Sequence, residues 1–306
     1  MESTLNFFKI ENNYYKDKNV IITGATCPIG ISLVETLSSL GANILIISHD
    51  ESKIQNTFGH LLESNDNEEE EENENQSNYS KNKNLIQYEI INLENPKEIN
   101  LKYPLCLKKL GAKLDILIIC HGITSYTKIK DCTIENFDKI MNLNVRSVFH
   151  ILSISVPFLK LTKGNCVILS SIESFIPKNQ GFLNTTSKAM INSLVQNSAL
   201  ELSSFGVRIN AVAPSMIKKE EEKKDISDFD SNFGKIWGGG INDKSLNKDS
   251  DMFPLGKKLV EKENVVDTIL FLASDEASFI TGEIIQNDNG FSINHDLSFT
   301  NENECK

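Results

Sequence analysis

The six cysteines of this 306-residue chain form no Cys-x-x-Cys pair; Cys27, Cys106, Cys120, Cys132, Cys166 and Cys305 stand far apart. That spacing argues against a zinc site or a disulfide framework, so no metal is expected and a reducing, cytoplasmic setting is. No run approaches 18 apolar residues, so no membrane span is expected. The opening, MESTLNFFKIENNYYKDK, has no long apolar stretch and gives no sign of a signal peptide. The closing Asn-Glu-Cys-Lys matches no targeting signal. From Glu63 to Ser80 there is no basic residue, but there are eight acids, which carry most of the net charge of -11. The remainder is only mildly acidic, and nucleic acid is not an expected partner.

What is present is a repeated alternation. Continuous apolar runs at Asn19–Thr23, Ala42–Ser48, Leu85–Ile91, Leu114–Cys120, Cys166–Ser170, Val207–Val212 and Gly282–Asn287 read as seven strands. Helix-length segments separate most of them, among them Phe137–Leu161 and Lys188–Phe205. Continuous rather than alternating apolar strands belong to a parallel sheet covered on both faces. The expected class is therefore α/β, a Rossmann-like doubly wound parallel sheet of about seven strands, with ligands at the carboxyl ends of the strands. One such domain is expected over residues 18–296, after an N-terminal arm (1–17) and before a tail (297–306). Two segments break the rhythm. Residues 63–84 are Asn/Glu-rich and read as a disordered acidic insertion. Residues 215–253 are polar, hold Gly238-Gly239-Gly240 and Trp237, and read as a lid-like insertion or an inert loop.

Two stretches suggest chemistry. Thr23-Gly24-Ala25-Thr26-Cys27-Pro28-Ile29-Gly30 joins the first strand to its helix. A glycine turn there lets the backbone approach a pyrophosphate, with helix N–H groups facing it. The second is VILSSIESFIPKNQGFLNTTSK, from Val167 to Lys188, where Ser170-Ser171 at a strand end precedes a lysine on the next helix.

With these and Asn142–Phe149 (NLNVRSVF), Arg208–Pro214 (RINAVAP) and Phe271–Gly282 (FLASDEASFITG) in order and at the right spacing, the chain resembles a short-chain dehydrogenase/reductase from about Lys18 to Phe291. The resemblance implies an NAD(P)-dependent oxidoreductase acting on a small carbonyl or alcohol, often a homodimer or homotetramer built through the two long helices. It assigns Ser171 to polarising the carbonyl, Lys188 to the nicotinamide ribose and Asn144 to a proton-relay water. It assigns Thr23, Gly24, Ile29, Gly30, Ser48, His49, Asn92, Cys120, Gly122, Lys188 and Pro214 to the cofactor site. At the end of strand 2, Ser48 and His49 replace the acid that would bind the NAD ribose, which favours NADP. Asp50 comes two residues later and reads as a helix cap.

Where the family has Tyr-x-x-x-Lys, this chain has Asn184. An amide cannot protonate a carbonyl oxygen, and a positioned general acid is worth about 10²–10⁴ in rate. In the glycine turn, Pro28 replaces a glycine and removes one N–H. Substitute proton donors are His121, Glu173 and Tyr126, each with a plainer structural role as the alternative. The chain is thus expected to be an impaired or atypical oxidoreductase. Two alternatives stand beside that: a pseudoenzyme binding a dinucleotide or a protein partner, and a 2,4-dienoyl-CoA reductase-like enzyme with a displaced acid.

Overall fold

A computed structural model describes residues 14–66, 85–217, 253–255 and 259–294. Its framework is one sheet of seven parallel strands in the order β3-β2-β1-β4-β5-β6-β7. The strands are β1 (Asn19–Thr23), β2 (Asn43–Ser48), β3 (Ile86–Ile90), β4 (Ile116–Ile119), β5 (Asn165–Leu169), β6 (Arg208–Pro214) and β7 (Ile284–Asn287). The helices are α1 (Pro28–Ser39), α2 (Glu51–Asp66), α3 (Pro96–Lys109), α4 (Ile134–Met141), α5 (Ser147–Thr162), α6 (Phe182–Leu202) and α7 (Lys262–Ala273). Strand order reverses between β1 and β4, so a crevice opens at their carboxyl ends, where Thr23 lies beside Ile119.

Period-2 alternation along uninterrupted apolar strands produces two cores. Val20 and Ile22 of β1 and Ile116 and Ile118 of β4 pack into one layer with Leu33, Leu37, Phe58 and Ile269. Ile21, Leu117 and Ile119 pack into the other with Tyr103, Ile151, Ile191 and Val195. The second layer is pinned where Tyr103 on α3 meets Ser155 on α5 at 2.6 Å. The end of α7 is tied to the sheet by polar side chains. Asn165 donates to Ala273 O at 3.0 Å, and Arg208 donates to Leu272 O and Ser274 O at 2.7 and 2.9 Å.

Three boundaries differ from the sequence reading. Tyr14 and Tyr15, placed in the arm, pack on α7: Tyr15 is fully buried and its hydroxyl donates to Leu270 O at 2.5 Å. The folded unit therefore includes at least residues 14–17. The helix expected at Phe137–Leu161 starts at Ile134 and passes through one π-turn, Asn142–Arg146, before continuing as α5. Such turns insert one extra residue and are common at functional sites. Helix α6 starts at Phe182 rather than Lys188, so Asn184 and Lys188 share its first two turns. Residues 63–66 continue the backbone of α2. The rest of the acidic insertion (67–84), the lid segment from 218 to 252 including Trp237, and the tail lie outside the described residues. By length and composition the run Ile134–Thr162 could cross a membrane, but it packs against the sheet and α3 as a core helix does.

Candidate active site

The turn after β1 is shaped by two glycines. Gly24 has φ +68°, and a Cβ there would lie 2.5 Å from His121 N. A Cβ on Gly30 would lie 2.6 Å from both Gly24 O and Ala25 Cα. Only glycine lets this turn close against itself and against the end of β4. Pro28 is the first residue of α1, where the missing N–H had no intrahelical partner to lose. Cys27 caps the helix, its Sγ accepting from Gly30 N at 3.3 Å, and burial raises its thiol pKa. Ile29, inside α1, is buried in the first core layer.

On the other side of the reversal point, Cys120 is buried and donates its N–H to Thr23 O at 3.0 Å. His121 bridges the two strands: Nδ1 is 2.7 Å from Thr23 Oγ1 and Nε2 is 2.6 Å from Ser147 Oγ. Ser147 donates its own proton to Leu143 O at 2.5 Å, so it must accept from Nε2–H, and Thr23 donates to Nδ1. Burial first, and the charge of Lys188 second, push the His121 pKa down to about 3. The ring is a neutral strut at neutral pH, which removes it from the candidate proton donors. Gly122 follows in the same partly buried loop.

Asn144 sits in the π-turn, fully buried. Its Oδ1 accepts from Ile123 N at 2.9 Å, and its Nδ2 donates to Ile123 O and Ser187 Oγ at 2.8 and 3.2 Å. It ties the loop after β4 to α6. Ser171, at the end of β5, is buried and accepts from Glu173 N at 3.2 Å, which leaves its own O–H as a donor. The loop is held from behind: Ser170 donates to Asn192 Oδ1, Asn192 to Ser174 Oγ, and Ser174 to Ser171 O, at 2.6, 2.8 and 2.5 Å.

Lys188 is 2 % exposed and donates from Nζ to Leu169 O at 2.9 Å. Desolvation lowers its pKa from 10.5 to about 7. Asn184, one turn earlier, is equally buried, and its Nδ2 donates to Glu173 Oε2. Its Oδ1 has no protein partner. The other oxygen of Glu173 accepts from Tyr126 Oη at 2.7 Å, and burial together with Glu173 raises the Tyr126 pKa. The sequence raised Glu173 and Tyr126 separately as substitutes for the tyrosine. The fold joins them to each other and to the residue in the tyrosine's place. No spacing rule links 126, 173 and 184, because the three come from separate loops and a helix.

The outer parts of the crevice are also defined. Ser48 is buried at the end of β2 and accepts from Asp50 N at 3.2 Å. Asp50 caps α2, accepting from Lys53 N at 3.0 Å, while His49 is exposed. Asn92 Oδ1 accepts from Glu94 N at 3.0 Å, which occupies one of its two lone pairs. Pro214 ends β6, and the buried Oγ of the following Ser215 has no protein partner.

Residues 106–292 match the family model described as enoyl-(acyl carrier protein) reductase. A tropinone reductase homologue of Arabidopsis thaliana is 30 % identical over 280 residues, covering 91 % of this chain and 92 % of its own. A 3-oxoacyl-[acyl-carrier-protein] reductase of Rickettsia felis is 29 % identical over 278 residues, covering 89 % and 96 %. Among solved structures, gox2181 superposes with a TM-score of 0.73 at 23 % identity, covering 91 % of this chain and 96 % of that one. An NADPH-bound variant of ElxO gives a TM-score of 0.70 at 23 % identity, covering 90 % and 99 %. With this sheet order, this glycine turn and these matches over most of its length, the chain belongs to the short-chain dehydrogenase/reductase family of NAD(P)-dependent oxidoreductases.

Proposed function

We propose that this protein oxidises and reduces a small alcohol/carbonyl pair with NADP(H), using a proton-transfer group other than the family's tyrosine. The observation that carries this reading is Lys188. A lysine fully inside the protein costs stability that an apolar residue would not, and its retention at the sheet's carboxyl end, on Leu169 O, points to a ligand.

The residues present fit a dinucleotide. The closed turn at Gly24 and Gly30 brings the N-terminus of α1, with its positive dipole, to where a pyrophosphate would lie. Thr23 and Ile29 shape that turn, and Cys120, Gly122 and Pro214 border the nicotinamide end. Lys188 would hold the nicotinamide ribose, Asn92 the adenine, and Ser48 with His49 the adenosine ribose. Asp50 is committed to capping α2, which leaves the ribose end without a dedicated acid and favours NADP over NAD. The cofactor supplies or accepts hydride at the carbon of the substrate. Ser171 donates its hydroxyl hydrogen to the substrate oxygen, and Asn144 keeps the loop at Ile123 and helix α6 in register around it. The substrates named for the relatives, tropinone-like and 3-oxoacyl compounds, are small carbonyls, which agrees with the class.

Fluorescence and thermal-shift titration with NADPH and NADH tests the reading. Binding of NADPH in preference to NADH is expected, and no response to either would end it. A pseudoenzyme is the second reading, favoured by one observation, the amide at Asn184. Binding of NADPH with no turnover of any alcohol or carbonyl at any pH would select it.

A further inference from the structure

We propose that Glu173 is the proton-transfer group of this site, with Asn184 and Tyr126 as the residues that position it. This rests on the dinucleotide-dependent reading above. Asn184 stands where the proton donor would be and cannot donate one to a carbonyl, but its amide N–H is spent on Glu173 Oε2. The Glu173 backbone N–H is in turn spent on Ser171 Oγ, the group assigned to the substrate oxygen. Residue 173 is therefore tied to both residues that flank the substrate position, through its backbone to Ser171 and through its carboxylate to Asn184. Its outer oxygen accepts from Tyr126, whose side is 44 % exposed at the rim. The inner side still offers an unused acceptor, Asn184 Oδ1, buried and without a protein partner, to orient a substrate O–H or N–H. A buried amide oxygen without a partner is costly, and a ligand group supplies what is missing.

The arrangement also fixes a direction. Two neutral donors, a phenol and an amide, point at the two carboxylate oxygens, so the form they hold is the acceptor, a general base. In alcohol oxidation the substrate C–H bond breaks with both electrons going to NADP⁺ as hydride. The substrate O–H proton goes to Glu173, the C=O bond forms, and Glu173 releases the proton to solvent beside Tyr126. In the reverse direction the same carboxyl must first be protonated.

The test uses the full-length protein with NADP⁺ and a panel of simple secondary alcohols, and NADPH with ethyl acetoacetate and 9,10-phenanthrenequinone as carbonyl probes. Glu173→Gln is expected to leave NADPH affinity unchanged and to lower kcat by about 10²–10⁴. Glu173→Ala is expected to recover part of the rate with added formate, which a purely structural role would not allow. Tyr126→Phe is expected to move the Glu173 carboxyl signal in ¹³C NMR while keeping most of the rate. If NADPH does not bind wild type, the functional reading fails as well. If NADPH binds and wild type turns over but Glu173→Gln keeps the wild-type rate, this proposal alone is overturned; if NADPH binds and wild type shows no turnover at any pH, the oxidoreductase reading falls with it.

Discussion

Lys188 offers a direct physical test of the site without any substrate. Its folded pKa, near 7, lies below the value of 10.5 of an exposed lysine because burial penalises the charge. Between those two values the unfolded chain binds more protons than the folded one, so stability rises with pH across that window. Below about pH 7 both states are protonated and the lysine contributes no slope. At full strength one group gives about 1.4 kcal/mol per pH unit, and the partial ionisation near the lower end trims the gain to about 2 kcal/mol between about pH 7 and pH 9. Lys188→Met keeps much of the volume and removes the charge. Urea unfolding of both proteins across that range should show wild type gaining on the variant by that amount, with the variant the more stable near neutrality. Subtracting the two curves cancels every other group that titrates. Parallel curves would mean that Lys188 is solvated or charge-paired in the folded state, and the cost argued for its retention would vanish.

Gly30→Ala places a Cβ 2.6 Å from backbone atoms of Gly24 and Ala25 that cannot step aside. It should cost about 1–3 kcal/mol in thermal unfolding and abolish NADPH binding, whereas full binding would mean that the turn is not the pyrophosphate site. Asn184→Tyr restores a phenol one turn before Lys188 and should raise carbonyl reduction at neutral pH by about 10²–10⁴. An unchanged rate would place the defect elsewhere in the site. The α5–α6 face leaves Phe149, Leu161 and Leu200 60 %, 73 % and 80 % exposed, which suits a second copy of the chain. Light scattering should give a dimer or tetramer, reduced to monomer by Phe149→Glu with Leu200→Glu, and a monomeric wild type would refute it.

The sheet was legible because its evidence is local. Each strand is a short apolar run bounded by glycine or polar residues, and β1 to β7 fall where those runs fall, every end within two residues. The glycine turn was legible because steric demand at Gly24 and Gly30 leaves no other residue type. Pro28 stands at the first position of α1, where its missing N–H costs the helix nothing, as a proline in a first helical turn should. Tyr14 and Tyr15 were hidden in a polar-looking lead segment, and only α7, some 255 residues later in the chain, explains their burial. The state of His121 follows from Thr23 and Ser147, and that of Glu173 from Tyr126 and Asn184; both are meetings of distant segments. Periodicity carries information about faces, not about which loops touch.

Replacing the tyrosine has a consequence for how the site's charges work together. In the family, lysine and tyrosine act as a pair, the cation lowering the phenol's pKa. Here Glu173, the proposed proton group, is held by Tyr126 and Asn184, and Lys188 donates to the carbonyl of Leu169. The two functions are then carried by separate contacts, one for the dinucleotide and one for the proton. Lys188→Ala should weaken NADPH binding, and Glu173→Gln should lower kcat with NADPH binding unchanged. In a double-mutant cycle on kcat/KM their effects should add to within about 0.5 kcal/mol if the two functions are independent. Coupling above about 1 kcal/mol would show that lysine and carboxylate still act as a pair, with Glu173 filling the tyrosine's electrostatic role as well as its chemical one.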